Sequence, residues 1–169
     1  MADLKNTLTL EIADHAGKAK GKVVIEMRPD LAPGHVARIT ELAREKFYDN
    51  VVFHRVIEGF MVQGGDGQHG KADGDLGRAG TGGSKKPDLK AEFNAESHQR
   101  GVCSMARSSS PNSANSQFFI CFGDASFLDR QYTVWGKVVE GMDVVDGIKR
   151  GEPVRNPDRI ATARVGAEA

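Results

Sequence analysis

The sequence predicts a mostly β fold, a closed antiparallel barrel whose ends are capped by two α-helices. Many short β-rich runs are separated by turns, and only two isolated stretches have helical periodicity. This pattern favours a barrel over a doubly wound sheet. The 169 residues and 39% hydrophobic content fit one domain with a real core, residues 1–169, and no linker, internal repeat or heptad run divides it.

The strands are predicted from alternation and from β-rich composition. Leu8, Leu10 and Ile12 alternate with polar residues, and a second run, GKVVIEM, follows a Gly-Lys turn and ends at Pro29, which predicts a hairpin. The later strand candidates are VVFHRVI, FMVQG, AEF, GVCSMA, QFFICF and YTVWGKVV, with a last one near RIATARV.

Two stretches have helical periodicity. Residues 30–46 carry apolar residues on one stripe, with Arg38 and other charged residues on the opposite side. The second predicted helix runs from Met142 to Arg150 and closes before Gly151 and Pro153.

Composition and charge exclude several classes of partner. Lys plus Arg and Asp plus Glu both number 23, so net charge gives no attraction to nucleic acid or to an anionic membrane. No apolar run approaches the length of a bilayer span, and the first residues lack a basic, apolar leader, so we expect a cytoplasmic protein. Cys103 and Cys121 lie in apolar strand-like runs and are expected to be buried thiols in a reduced compartment.

The glycine-rich segment 64–83 contains the spacing G-x-G-x-x-G but has no helical pattern after it. A dinucleotide site needs that helix to hold the pyrophosphate, so the segment is interpreted as a surface loop. Asp66, Asp73 and Asp75 lack the register of an EF-hand and are interpreted as solvated turn acids. The histidines show no metal-ligand spacing, and the Ser-rich stretch 108–116 has no G-x-S-x-G context, so neither a metal site nor a hydrolase is expected.

Arg55 and Gln63 lie among apolar residues beside a Gly-Gly turn. An arginine keeps its proton at any ordinary pH and carries five N–H donors, so holding it against apolar surface costs desolvation unless the donors have partners. This arrangement suits a reaction that needs a rigid donor beside a hydrophobic slot. The alternative is a surface ion pair between Arg55 and a carboxylate such as Glu58, and the residues alone leave the two interpretations nearly even.

The runs FHRVIEGFMVQGGD, SQFFI and WGKVVEGMDVV follow one another in this order. Together they closely resemble the cyclophilin family of peptidyl-prolyl cis-trans isomerases, and the match extends from about Leu8 to Ile160. The resemblance implies an eight-stranded antiparallel barrel capped by two helices, with a peptide groove on its outer face. It implies an isomerase that rotates X-Pro bonds and assists protein folding. The expected partners are proline-containing peptides and unfolded proteins, with no cofactor and a monomeric chain.

The resemblance also assigns residues by motif position. Arg55 would donate to the substrate, and Gln63 would orient Arg55. The proline ring pocket would be lined by Phe60, Met61, Phe119 and Leu128, and the adjoining groove by Ala106, Arg107 and Gln117. Without the resemblance, plain core packing would be favoured for the apolar members of this set. Alternation places Phe118 and Ile120 on the opposite face from Phe119, in the core.

Three positions depart from the commonest form of the family. Phe127 stands where many members carry Trp, Tyr132 where many carry His, and Arg107 where Asn is usual. Phe127 keeps an apolar wall but lacks the indole N–H donor, so cyclosporin is expected to bind weakly. Tyr132 keeps a ring at the pocket edge. The competing interpretation is a non-catalytic module or chaperone that binds proline peptides on the same barrel, and the retention of Arg55 argues against it.

Overall fold

The computed structural model describes residues 6–166, so both ends of the predicted domain, residues 1–5 and 167–169, lie outside the described residues. The described part has nine strands and two α-helices. The strands are β1 Thr7–Ala13, β2 Ala19–Met27, β3 Val51–Val52, β4 Arg55–Ile57, β5 Met61–Gly64, β6 Val102–Met105, β7 Phe118–Cys121, β8 Val134–Glu140 and β9 Arg159–Val165, and the helices are α1 Pro33–Arg44 and α2 Met142–Asp146.

All nine strands join one antiparallel sheet in the order β3-β9-β1-β2-β8-β6-β7-β5-β4. The first and last strands of this order, β3 and β4, are separated in the chain only by Phe53 and His54, so the sheet curls back on itself. The predicted class, a mostly β barrel-like fold with two helices, is confirmed. The predicted count of eight strands differs from the nine observed.

The extra strand arises because the predicted run VVFHRVI is interrupted. The Phe53 amide donates to the Asp158 carbonyl at 2.9 Å, and the Val154 amide donates to the His54 carbonyl at 3.0 Å. These two residues therefore bond to the segment that precedes β9 rather than to a neighbouring ladder. Counted as one interrupted strand, β3 and β4 would restore the predicted number.

The predicted strand AEF, residues 91–93, was wrong. The Ala91 amide donates to Asn112 Oδ1 at 2.9 Å and the Glu92 amide donates to Thr133 Oγ1 at 3.0 Å, so side chains rather than a ladder satisfy this backbone.

Both helices are shorter than predicted. In α1, Ala32 at the N-cap has no side-chain acceptor, and the distant carboxylate of Glu92 instead accepts from the Gly34 and His35 amides at 3.1 and 2.8 Å. On the charged side of α1, one residue departs from the prediction, whereas Glu41 and Arg44 are exposed as expected. Arg38 is buried because its guanidinium donates to the carbonyls of Pro87 and Asn115.

The core fills the inside of the curled sheet, and α1 and α2 pack on it near β9 and β2. Phe118 and Ile120 belong to this core, as the alternation predicted. Their neighbours Phe119 and Cys121 belong to a second, smaller apolar cluster on the opposite face of the sheet. Cys103 and Cys121 are both free and buried, and burial raises the pKa of the Cys121 thiol to about 12. Within residues 6–166, neither helix combines the length and apolar character that crossing a bilayer demands.

The glycine-rich segment is a loop, as predicted, and it also contains one short 3-10 turn, Leu76–Arg78. Asp66 within it is not the solvated acid that the sequence suggested, because its exposed fraction is 0%. Its Oδ1 accepts from the amides of Gln68 and His69 at 3.0 and 2.9 Å, and its Oδ2 accepts from those of Gly80 and Gly82, both at 2.9 Å. A single buried carboxylate therefore holds the two ends of this loop together.

Candidate active site

The register of four strands brings the candidate residues to one outer face of the sheet. Arg55 is opposite Gln63, Gln63 is opposite Phe119, and Phe119 is opposite Ser104. Directly opposed residues share a face, so these four form one row across β4, β5, β7 and β6. Met61 lies two residues before Gln63 and therefore points to the same face. Alternation within each strand and the pairing between strands therefore place a cation, Arg55, an amide, Gln63, and an aromatic ring, Phe119, side by side on the outer face.

A slot with a volume of about 120 Å³ lies over this row. Phe119 and Met61 form its buried apolar floor, with exposed fractions of 4% and 2%. The Phe119 ring is stacked on the His98 ring with centroids 6.0 Å apart, and it meets the Tyr132 ring edge-on at 5.8 Å. The structure brings together here Arg55, Phe60, Met61, Gln63, Ala106, Arg107, Phe119, Leu128 and Tyr132.

A second, more polar pocket of about 230 Å³ adjoins the slot. The two pockets share Gln63, Ala106 and Arg107, and Gln117 lines only the second one. Its remaining wall comes from the glycine loop at 80–82 and from the segment 108–116. The three residues that the resemblance assigned to the adjoining groove, Ala106, Arg107 and Gln117, therefore all line this second pocket.

A chain of side-chain hydrogen bonds runs from the slot into the second pocket. Arg55 Nη1 donates to Gln63 Oε1 at 3.3 Å, and Gln63 Nε2 donates to Gln117 Oε1 at 3.1 Å. Gln117 Nε2 then donates to the carbonyls of Gly80 and Gly82, both at 2.9 Å. The orientation of Arg55 is thus linked to the loop that Asp66 holds in place.

The ion pair of Arg55 differs from the one the sequence suggested. Arg55 Nε donates to Glu152 Oε2 at 2.6 Å, whereas Glu58 pairs with Arg150. Sequence reasoning missed Glu152 because it lies 97 positions from Arg55 and no local pattern marks it. The Arg55 side chain is 41% exposed, so the cation lies at the rim of the slot rather than beneath it.

Phe127, Tyr132 and Arg107, which the resemblance marked as departures from the usual residues, lie near the rim of the slot. The Phe127 side chain is 65% exposed and packs on Phe60 with ring centroids 5.5 Å apart, but among the described residues it is not one that lines either pocket. The Arg107 guanidinium lies 4.5 Å over the Tyr132 ring. Arg107 also donates to the carbonyls of Ser108, Ser109 and Gln131, so it is tied to backbone on both sides.

Beneath the slot lies a buried network that the sequence did not reveal. His98 contacts Asp129 Oδ1 through Nδ1 at 3.0 Å and Ser104 Oγ through Nε2 at 2.9 Å. The order of groups is that of a serine hydrolase, but Ser104 and His98 are both fully buried and Ser104 Oγ donates to the Thr133 carbonyl. Burial lowers the pKa of His98, against the opposing effect of Asp129. Asp129 is 31% exposed, whereas His98 and Ser104 are closed off from solvent, and the network supports the underside of Phe119.

Comparison with known proteins gives the class that this fold and site define. The family model described as cyclophilin type peptidyl-prolyl cis-trans isomerase/CLD matches residues 8–165. The chain therefore belongs to the cyclophilin-type peptidyl-prolyl cis-trans isomerases, an enzyme family that binds proline-containing peptides, as the sequence resemblance predicted.

Individual relatives agree with this assignment. The chain is 54% identical to a "Probable peptidyl-prolyl cis-trans isomerase" of Brucella suis biovar 1 (strain 1330), over 99% of this chain and 86% of the relative. It is 40% identical to "Peptidyl-prolyl cis-trans isomerase B" of Escherichia coli (strain K12), over 76% of this chain and 79% of the relative. Among solved structures it is similar to cyclophilin AquaCyp293 from Hirschia baltica, with a TM-score of 0.82 and 29% identity over 99% of this chain and 76% of that one.

Proposed function

We propose that this chain accelerates rotation about X-Pro bonds in peptides and unfolded proteins, with Arg55 as the donor and the slot as the grip on the proline ring. The observation that carries this proposal is the juxtaposition of the Arg55 guanidinium with a slot whose floor is Met61 and Phe119. Gln63 positions Arg55 from the neighbouring strand.

The reaction requires the amide resonance to be disrupted. An X-Pro bond resists rotation by about 20 kcal/mol because the nitrogen lone pair is delocalised into the carbonyl. As the bond twists, the prolyl nitrogen becomes pyramidal and regains a localised lone pair. A donor that meets this lone pair only in the twisted state lowers the barrier selectively, and no bond has to be made or broken.

Arg55 alone supplies only part of the acceleration. A charge-assisted hydrogen bond in a partly desolvated site contributes about 2–3 kcal/mol, which corresponds to roughly 30- to 150-fold in rate. The rest would come from fixing the proline ring on Phe119 and Met61 while the preceding residue turns. The substrate backbone would lie along the adjoining pocket, near Gln63 and Gln117.

The test is cis-trans exchange of a short X-Pro peptide, followed by NMR line shapes with wild type and with Arg55→Ala. We expect Arg55→Ala to lose most of the acceleration but to keep peptide binding, measured by titration. Arg150→Ala is the matched control, because Arg150 lies outside the slot, over the Phe122 ring. Equal exchange rates for wild type and Arg55→Ala would refute the catalytic role. Binding by wild type with no acceleration would favour the non-catalytic module instead.

Finer properties follow from the same site and from composition. We propose that cyclosporin binds weakly, because Phe127 offers the rim a ring without an N–H donor. We also propose a single-domain monomer that acts in the cytoplasm, and the two buried, free thiols support a reduced compartment. Sedimentation of the purified chain across a range of concentrations tests whether it is a monomer.

A further inference from the structure

Glu152 occupies a defined position beside the proposed catalytic arginine. Val56 and Gly151 form an isolated antiparallel bridge, and each amide donates to the other's carbonyl at 2.8 Å. Arg55 and Glu152 are the next residues along from this pair, so the bridge brings their backbones close together. The segment bulges just beyond the bridge, because the Val154 amide donates to the His54 carbonyl, so Glu152 and Pro153 together stand opposite Arg55. The Arg55–Glu152 contact is thus fixed by backbone pairing and is more than a chance meeting of long side chains.

Arg55 lies between two partners that use different parts of its guanidinium. Glu152 accepts from Nε at 2.6 Å on one side, and Gln63 accepts from Nη1 at 3.3 Å on the other. Within residues 6–166, no acceptor lies within hydrogen-bond distance of Nη2. One N–H of Nη1 and both N–H groups of Nη2 are left to donate. Glu152 therefore restrains Nε, where the guanidinium joins the side chain. The outer edge of the guanidinium, Nη1 and Nη2, can still donate hydrogen bonds into the slot.

We propose that Glu152 is a positioning residue for Arg55, selecting the rotamer in which the outer edge of the guanidinium faces the prolyl nitrogen. This inference rests on the proposed function of Arg55. An arginine side chain has large rotamer entropy, and a donor displaced by about 1 Å can lose much of its effect. Restraint of that side chain in the free protein therefore raises the turnover rate.

A carboxylate so close to the cation could instead weaken it by neutralising its charge. The pair is open to solvent, since the side chains of Arg55 and Glu152 are 41% and 57% exposed. Water screens exposed charges strongly, so the field of Glu152 at the slot is small. The hydrogen bond that restrains Nε does not depend on the electrostatic field of Glu152 at the slot. Positioning of Arg55 therefore outweighs the neutralisation of its charge.

The experiment compares Glu152→Ala, Glu152→Gln and Glu58→Ala in the NMR exchange assay at several peptide concentrations. We expect Glu152→Ala to lower kcat about three- to tenfold with KM within twofold, because the slot itself is unchanged. Glu152→Gln should stay within about twofold of wild type, since its amide oxygen still accepts from Nε. Glu58→Ala should be unchanged, because this exposed carboxylate of the same region pairs with Arg150 and not with Arg55.

A second readout reports the restraint directly. In wild type and Glu58→Ala, the Arg55 Nε–H signal should exchange slowly with water, whereas in Glu152→Ala it should exchange fast. Thermal unfolding of each variant separates a folding defect from lost positioning. A kcat of Glu152→Ala equal to or above that of wild type would overturn the proposal, and so would an equal loss in Glu58→Ala. If Arg55→Ala is inactive while Glu152→Ala is fully active, only the role of Glu152 falls. If Arg55→Ala is fully active, the proposed function itself falls.

Discussion

The buried carboxylate of Asp66 allows a sharp test of how the site is held. Asp66→Asn preserves the shape of the side chain but replaces one of its two oxygens with an NH2 group. Each oxygen accepts two backbone amides, those of Gln68 and His69 on Oδ1 and those of Gly80 and Gly82 on Oδ2. The amide can therefore satisfy only one end of the loop, and its NH2 group faces two further donors at the other end.

The expected loss in the free energy of unfolding follows from the hydrogen bonds that are lost. A hydrogen bond to a charged group contributes about 1.5–3 kcal/mol, so losing two gives about 3–6 kcal/mol. Gly80 and Gly82 are only partly buried and can reach water when the loop moves, so the lower end of this range is expected. The loosened loop would also release Gln117, whose Nε2 donates to both glycine carbonyls, and through Gln63 it would release Arg55.

The assays are urea unfolding, NMR exchange of an X-Pro peptide, and hydrogen exchange of the Gly80 and Gly82 amides. We expect lower stability, several-fold lower turnover, and loss of protection at the two glycines. Asp75→Asn is the matched control in the same loop. Asp75 is exposed, and within residues 6–166 its side chain accepts from the Gly77 amide alone, a role that Asn fills equally well. An Asp66→Asn protein as stable and as active as Asp75→Asn would refute this account.

Three further predictions follow. Burial lowers the pKa of His35, His54 and His98, so the unfolded chain takes up protons below about pH 6.5 that the folded chain does not. Stability should therefore fall as pH drops from 6.5, by up to ~4 kcal/mol per pH unit, and urea midpoints unchanged between pH 7.5 and 5.5 would contradict this. Arg107→Lys keeps the charge but loses the planar guanidinium that donates to several backbone carbonyls at once. KM should therefore rise several-fold with little change in kcat. An unchanged KM in the exchange assay would argue against this role. Phe127→Trp restores an indole N–H, so cyclosporin should inhibit this variant more strongly than wild type, and equal inhibition curves would disprove the assigned role.

Alternation in the sequence was enough to predict most of the fold. Alternation placed Phe118 and Ile120 on the face opposite Phe119, and the family resemblance, which assigned Phe119 to the ring pocket, identified their face as the core. The family motif then named the residues that the structure gathers around the slot. Roles for those residues stay predictions until the variants are measured.

What sequence could not predict depends on contacts between distant segments. Asp66 resembles any acid of a glycine-rich loop, and its burial follows from four amides, two of which lie fourteen and sixteen residues further on. Glu152 meets Arg55 only because Gly151 pairs with Val56. The helical pattern predicted that Arg38 would be exposed. It is instead covered by the segment around Pro87, which lies 49 residues further along the chain. Such contacts depend on how distant segments of the chain come together, which the periodicity of a single strand or helix does not specify.

Strands β5 and β7 contribute residues to both the core and the slot, which limits the sequence changes that this protein can tolerate. In β5 and β7, alternate residues face the core and the slot on the outer face. A deletion of a single residue inside β5 would exchange the two sets, so that Gln63 would turn inward while Val62 met the solvent. Selection should therefore permit many replacements in these strands while it forbids nearly every change in their length, so insertions that diversify this lineage should gather in its loops.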